Sequence, residues 1–403
     1  GILHESILGK SLRHILAVSG MDTDFKNPFI TNFEERDEAS LSIRSYFELK
    51  GNETKNIRWK WNLGIEWQKT NSGISNYGNR NGVKDTIQSS DRIKARQYFW
   101  FSRFSADIRE RLILEASLSL NNYQYRYLNN FPVAETAFRL KRFSPQLMPK
   151  LSTSFKISEG LLWRSSVSRG YSPPTIAEVR PSDNNLYADL KPEAGWNYES
   201  GLRAKTASER FYIDLTFFYY QLQNAIVRRV NSLGADYYVN AGGTQQSGAE
   251  VLSRLQLLPS RDGGLFRKLE LRNSITLYHF KFSDYQNASA DYSDHWLTGV
   301  PPLSVVSSIS TEAGRHLYLF IQHTYTDRIP LNDDNSVYAS SWHLLQAKAG
   351  WKFNLKIQAE LFIGADNILN QRYSLGNDLN ALGGRYYNAA PPRNFYAGMN
   401  MEF

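Results

Sequence analysis

Over its last eleven residues the chain alternates apolar and polar positions without a break. Phe395, Ala397, Met399, Met401 and Phe403 fall on one side, and Asn394, Tyr396, Gly398, Asn400 and Glu402 on the other. Side chains of a strand point alternately to its two faces, so one face is continuously apolar and the other polar or small. The same period of two recurs at 57–68, where Ile57, Trp59, Trp61, Leu63, Ile65 and Trp67 alternate with Arg58, Lys60, Asn62, Gly64, Glu66 and Gln68. It returns at 112–121, 211–220 and 355–364. Runs of about ten residues exceed the five or six usual in soluble sheets and match a strand with lipid on one side and water on the other.

The connections sharpen the prediction. Short polar turns are expected at 51–55, 158–160, 207–209, 312–314 and 353–355. Long segments lie at 71–91, 129–145, 171–193, 223–245, 283–301, 327–340 and 367–392. Outer-membrane barrels have short periplasmic turns and long extracellular loops. A soluble sandwich has no reason to gather its long loops at one end. The predicted fold is therefore all-β, a transmembrane antiparallel β-barrel. The last long loop precedes the last strand, so that strand descends and Phe403 lies at the periplasmic rim. Counting back gives about sixteen strands, the first near 11–20. No linker, second domain or low-complexity segment interrupts residues 1–403.

Composition permits this fold. Mean hydropathy is −0.48, and no uncharged apolar run approaches about 18 residues, which excludes membrane-spanning helices but not a barrel. Aromatic residues make up 14% of the chain and suit interfacial girdles. The absence of cysteine excludes disulfides, thiolate metal sites and cysteine nucleophiles. The net charge of +8 admits an anionic solute or anionic lipid. Lys and Arg are scattered through strands rather than gathered in a basic helix, so nucleic acid is not an expected partner.

Catalytic chemistry finds little support. None of the seven histidines forms a metal-binding pair at helical spacing. Asp291, Asp294 and His295, like Asp333 and Asp334, read as hydrophilic loop positions. No glycine–x–serine–x–glycine elbow or phosphate-cradling glycine loop occurs. No enzyme activity, cofactor or structural metal is expected. No charged leader followed by an apolar core stands at Gly1, so a secretion signal and a further amino-terminal part are expected upstream.

A family resemblance enters at Ser168-Arg-Gly-Tyr-Ser-Pro-Pro-Thr-Ile-Ala-Glu178, followed by Leu190-Lys-Pro-Glu193 and Trp196-Asn-Tyr-Glu-Ser-Gly-Leu-Arg203. It continues through Asn240-Ala-Gly-Gly-Thr and Gly248-Ala-Glu250 to Ala365-Asp-Asn-Ile-Leu-Asn370, Arg372-Tyr373, Gly384-Arg-Tyr386 and Ala390-Pro-Pro-Arg393. In this order the motifs span about half the chain, and it resembles the barrel of TonB-dependent outer-membrane receptors. The wording around Glu178 to Asn184 is most similar to versions in the Bacteroidetes group. The resemblance implies a barrel of about 22 strands with a plugged lumen, of which residues 1–403 would be the carboxy-terminal part. It also implies an amino-terminal plug and an energy-coupling segment, neither of which is in this sequence. A part of a longer chain is the favoured reading, and a sixteen-stranded pore bearing the same motifs is the alternative. The implied activity is uptake of a scarce solute, first a ferric siderophore, driven through the TonB energy-coupling complex. A passive porin or an adhesin is the other reading. Outer-membrane lipid, lipopolysaccharide and the barrel assembly machinery are the further expected partners.

Three residue sets carry the site expectations. Tyr171, Arg180, Tyr187, Arg228, Arg229, Tyr237, Tyr238, Tyr292, Trp296 and Tyr387 lie in the outer segments. Tyr, Trp and Arg offer rigid contact area and bidentate anion recognition, so this set is the candidate ligand pocket. Arg58, Lys60, Lys156, Arg203, Lys352 and Lys356 point inward towards the periplasmic half if apolar faces point outward. They are the candidate partners of acidic groups on the plug. Tyr396, Met399, Met401 and Phe403 form the expected outer-membrane assembly signal.

Overall fold

In the computed structural model the described residues are 1–29, 32–51, 56–181, 183, 185–231, 235–258, 266–287, 290–314, 316–354 and 358–402. Almost every ordered segment is strand, and the pairing is antiparallel wherever a register is defined. The chain folds as two compact units. The first comprises Gly1–Phe155, Ser166–Tyr198 and Gln221–Gly243; the second comprises Lys156–Ser165, Glu199–Tyr220 and Thr244–Phe403. Gln146–Ser158, Leu161–Ser172, Glu193–Lys205 and Phe211–Gln223 contribute residues to both.

In the first unit Ile2–Ile7, Leu12–Pro28, Asn32–Lys50, Ile57–Arg80, Val83–Ile108 and Leu112–Phe131 pair in sequence order. Leu112–Phe131 then pairs with Arg139–Arg142 and with Gln146–Ser158. In the second unit Phe266–Ser283, Leu303–Ala313, Leu317–Thr326, Trp342–Asn354, Gln358–Asp366 and Asn394–Glu402 follow the same rule. Ile2–Ile7 and Asn394–Glu402 each pair on one side only among the described residues.

The two-sided pattern holds in three dimensions. Ile57, Trp61, Leu63 and Ile65 are exposed, Leu63 at 52%, while Lys60, Asn62, Gly64 and Glu66 between them are half-buried. On the final strand Phe395, Met399 and Met401 are exposed, Phe395 at 76%. Rows of exposed large apolar side chains of this extent would be a liability in water and are the normal lipid contact of a membrane barrel. The opposite face is called the inner face below. It carries tight ring-on-glycine contacts: a Cβ at Gly350 would lie 2.5 Å from the Tyr318 hydroxyl oxygen.

The structure corrects several expectations. It contains 26 strands among the described residues, against about sixteen predicted. The long connections fold into ribbons of their own: Ile226–Val230 with Asp236–Asn240, Gln286–Asn287 with Ala290–Asp291, Ile329–Pro330 with Tyr338–Ala339, and Ser374–Asn377 with Tyr387–Ala389. These ribbons are too short to carry a period-two signal. Segment 71–91 is not a loop. It is the top of Ile57–Arg80 and Val83–Ile108, strands of 24 and 26 residues joined at Asn81 and Gly82. Beyond the lipid boundary the outward positions Asn71, Gly73 and Ser75 are polar or small, while Ser72, Ile74 and Asn76 on the inner face are buried, so no apolar row runs along the outside. The first strand is Ile2–Ile7, six residues long, and the predicted 11–20 falls in Leu12–Pro28. Lys356 and Phe403 lie outside the described residues.

Candidate ligand site

The first unit folds a long connection back onto its own inner face. Residues 173–192 leave Leu161–Ser172, make one helical turn at Ile176–Val179, and return to Glu193–Lys205. The turn is closed by a capping box. The Glu178 amide donates to Thr175 Oγ1 at 3.3 Å, and Glu178 Oε2 accepts from the Thr175 amide at 2.7 Å. Val179 and half-buried Ile176 and Leu186 then pack on Ile74, Ile93, Ala95 and Tyr125. These strand residues share the inner face, since Ala95 pairs with Tyr125 and Asp91 with Ile74. Tyr125 donates its hydroxyl to the Ala188 carbonyl at 3.0 Å.

Arg180 completes the attachment. It is 1% exposed and donates through Nε to Asp91, through Nη2 to Ser89 at 2.5 Å, and through Nη1 to the Pro181 carbonyl at 3.1 Å. A guanidinium sealed in this way anchors the loop and has little surface left for a solute.

Beside the anchor lies a cavity of about 300 Å³. Its floor is the inner face of Leu12–Pro28 and Asn32–Lys50, which supplies Thr23, Phe25, Glu34, Arg36 and Glu38, with Phe29 next to them. Ala177 and Pro181 of the folded loop close one side, and Asp236 and Tyr238 of the ribbon close another. Arg36 donates through Nε to Glu34 at 3.0 Å and lies 3.9 Å from Glu38, which accepts from Ser72 Oγ at 2.9 Å. Glu34, Glu38 and Asp236 face the single guanidinium of Arg36 in the lining, and Arg228 pairs with Asp236 at 2.7 Å, so a small acidic excess remains. Burial first, then neighbouring Asp236, pushes the Tyr238 hydroxyl up, so it stays protonated and can donate. Aromatic walls with acceptors and one phenolic donor suit the less anionic parts of a small solute.

Of the predicted pocket residues, Tyr238 lines this cavity, and Tyr171, Tyr187, Arg228, Arg229 and Tyr237 lie elsewhere in the same unit. The Tyr187 and Tyr237 rings stack at 6.0 Å. Burial, and after it the hydrogen bond to Asp183, pushes the Tyr187 hydroxyl up. Arg228 faces Tyr238 and Arg229 faces Tyr237 across the ribbon, and Arg228 pairs with Asp236 at 2.7 Å. Tyr171 sits near the end of its strand with its hydroxyl buried and without a hydrogen-bond partner among the described residues. The cavity residues Phe25, Phe29, Glu34, Arg36 and Glu38 escaped the sequence reading. The alternation of Glu34, Arg36 and Glu38 on one strand face was the available signal.

Tyr292, Trp296 and Tyr387 belong to the second unit. Tyr292 packs on Tyr285 and His295, and Trp296 meets His279 edge to face at 4.9 Å. Tyr387 is exposed and donates to the Tyr338 carbonyl at 3.4 Å. Asp333 braces these connections, accepting from Tyr285 Oη at 3.0 Å, Thr298 Oγ1 at 2.6 Å and Asn380 Nδ2 at 3.0 Å.

Comparison with known proteins now decides the family. Residues 9–368 match the family described as TonB dependent receptor-like, beta-barrel. The chain belongs to this family. It is a family of outer-membrane β-barrels, of receptors and transporters rather than enzymes. The solved structures agree in fold. The ferric-catecholate import receptor Fiu from E. coli K12 matches at 14% identity and a TM-score of 0.71, over 99% of this chain and 63% of that one. The ferric citrate transporter FecA, unliganded, matches at 12% identity and a TM-score of 0.78, over 99% and 60%. The copper transporter OprC matches at 14% identity and a TM-score of 0.70, over 97% and 63%. The chain thus spans less than two thirds of the length of each of these receptors.

Within this TonB-dependent receptor barrel, the predicted inner cations already have neighbours. Arg58 pairs with Asp107 at 2.7 Å, Lys60 with Glu48 at 3.2 Å, Lys156 with Glu159 at 2.7 Å and Arg203 with Asp214 at 2.7 Å. Lys352 lies 5.3 Å from the centre of the Tyr318 ring. On the final strand Met399 and Met401 face outward, and Tyr396 lies opposite Gly364.

Proposed function

We propose that the chain is the carboxy-terminal barrel portion of a receptor that takes up a scarce solute through TonB-dependent energy coupling. The observation that supports this reading is the 300 Å³ cavity, built from inner-face strand residues and inward-folded connections of a barrel of this family. A ferric siderophore is the preferred cargo. The acidic lining favours one whose outward groups are hydrogen-bond donors or carry positive charge, seated against Phe25, Phe29 and Tyr238. A plug upstream of Gly1 would present the coupling segment. Inner cations such as Lys60 and Arg203 could then exchange wall carboxylates for plug carboxylates, a swap that adds specificity rather than much net stability.

The test is uptake of radiolabelled ferric siderophores by cells that express the full gene. Uptake should stop when the proton gradient is collapsed, and Phe25→Ala with Tyr238→Ala should weaken cell-surface binding roughly tenfold or more. Gradient-independent uptake would point instead to a passive pore. Unchanged affinity in the double variant would remove the cavity from the ligand path.

A further inference from the structure

On the outer face of Leu317–Thr326 and Trp342–Asn354 in the second unit, two histidines follow a row of Leu, Ile, Ala and Trp. Leu317–Thr326 pairs with Trp342–Asn354 so that Leu317 opposes Trp351, Leu319 opposes Ala349, Ile321 opposes Ala347, and His323 opposes Leu345. The next pair on this face is Tyr325 with His343. His323 and His343 are therefore diagonal neighbours on one face, close to the end of the hairpin that leads into 327–341. His323 Nε2 and His343 Nδ1 lie 3.1 Å apart, and the rings are near parallel with centres 5.3 Å apart. The Tyr325 ring packs on His343 at 4.7 Å and fixes its orientation. Other histidines have different engagements: His14 with Ser45, His295 with the Asp333 carbonyl and His316 with the Lys352 carbonyl.

We infer that His323 and His343 form a two-imidazole site for a divalent transition-metal ion, Cu²⁺ before Zn²⁺ or Ni²⁺, at the outer rim of the barrel wall. Metal–imidazole bonds are about 2.0–2.1 Å, so two nitrogens 3.1 Å apart would subtend about 98° at a shared ion once each ring turns to aim its lone pair at the ion instead of at the other ring. That angle lies close to the cis angle of a tetragonal Cu²⁺ site and below the tetrahedral angle. The affinity order of nitrogen ligands among these ions puts copper first. The bond changes balance without any redox step. Of the two neutral rings, the one that carries its proton on the facing nitrogen gives it to solvent and takes one back at its remote nitrogen, so each facing nitrogen gives its lone pair to the ion and each remote nitrogen carries an N–H. Water fills the remaining positions, as the exposed His343 side chain allows.

The experiment titrates Cu²⁺ into the purified protein in detergent micelles, read by calorimetry and by electron paramagnetic resonance. The expected result is one Cu²⁺ per chain near pH 7.5 with a two-nitrogen equatorial signature, weakened on acidification because protons compete with the ion for the nitrogens. His323→Gln and His343→Gln keep a polar, hydrogen-bonding side chain at each position and should each weaken Cu²⁺ binding by roughly tenfold or more. His14→Gln should leave binding unchanged. A double His323→Gln, His343→Gln variant that folds and binds Cu²⁺ as tightly as the parent overturns the site. So does a spectrum without nitrogen coupling from the parent protein. If both glutamine variants fail to fold, diethyl pyrocarbonate labelling of the folded parent decides: Cu²⁺ must protect His323 and His343 selectively.

Discussion

Arg180 and Asp91, 89 positions apart in sequence, form a buried ion pair in which the two residues are 1% and 3% exposed. The pair pins residues 173–192 to the strands they cover. Asp91→Ala would leave a buried guanidinium with only Ser89 and carbonyl partners, a change that typically costs about 3–5 kcal/mol. Because the pair anchors the loop beside its helical turn, the cost should appear as local release there. Hydrogen exchange at the Val179 and Tyr187 amides, which donate to Thr175 and Val179, should speed up sharply while strand amides stay protected. Asp91→Leu combined with Arg180→Met should restore much of the protection. Equal exchange in parent and Asp91→Ala would show that the apolar contacts alone hold the loop.

In the second unit Asp333 plays a comparable part with neutral donors. It is 4% exposed and draws hydrogen bonds from Tyr285 and Thr298 of 283–301 and from Asn380 of 367–392. Asp333→Asn keeps the shape but turns an NH₂ group towards those donors. Leaving buried donors unmet costs about 1–3 kcal/mol. The measurement is limited proteolysis of 283–301 and 367–392, which should be cleaved faster in the variant. Cleavage rates matching the parent would mean that backbone pairing alone orders these connections.

How much of this was legible in the chain depends on what each residue faces. Leu63, Trp61 and Met399 announced the fold because hydrocarbon tolerates only apolar side chains, which imposes a strict period of two. Asn76 and Ser72 lie on the same strand as Leu63, yet they are buried on its inner face where the outer face no longer meets lipid, so the pattern stops at the lipid boundary. The inward fold of 173–192 rests on Ile176 and Val179, too few apolar residues to set a period. Arg180 reads as a solute ligand because arginine in a loop usually faces water; only the distant Asp91 turns it into an anchor. Glu34, Arg36 and Glu38 are strand residues, so a search of the loops passes over the cavity floor. Asp333 reads as ordinary loop polarity, since its donors lie in two other connections, 283–301 and 367–392, more than thirty positions away.

Asp214 takes two guanidinium groups at once. Arg164 donates through Nη1 at 3.0 Å, and Arg203 donates through Nε at 2.8 Å and Nη2 at 2.7 Å. Asp214→Asn would leave two neighbouring cations facing each other on the inner wall. Both arginines are partly exposed, so water and salt moderate the effect to about 1–3 kcal/mol. The denaturant midpoint in micelles should fall, and raising ionic strength should recover part of the loss by screening the repulsion. A salt-independent loss would assign the effect to packing.

The last hairpin locks its register by ring-on-glycine contacts. Gly364 pairs directly with Tyr396, and Phe362 pairs directly with Gly398. A Cβ at Gly364 would stand 2.3 Å from Tyr396 Cζ, and one at Gly398 would stand 2.3 Å from Phe362 Cζ. Each ring thus lies over the glycine opposite it, the arrangement by which aromatic side chains cover the bare backbone of a strand glycine. Gly364→Ala must push the Tyr396 ring aside, an overpacking cost of about 1–3 kcal/mol. Tyr396→Ala removes the obstacle, so Gly364→Ala added to it should cost much less than Gly364→Ala alone. A double-mutant cycle on the folded fraction, read from heat-modifiable migration in gels, measures that coupling. Strict additivity would mean that the ring moves freely and that backbone pairing alone sets the register. Strong coupling would tie the assembly of the final hairpin to Tyr396 on the inner face as well as to Met399 and Met401 on the outer one.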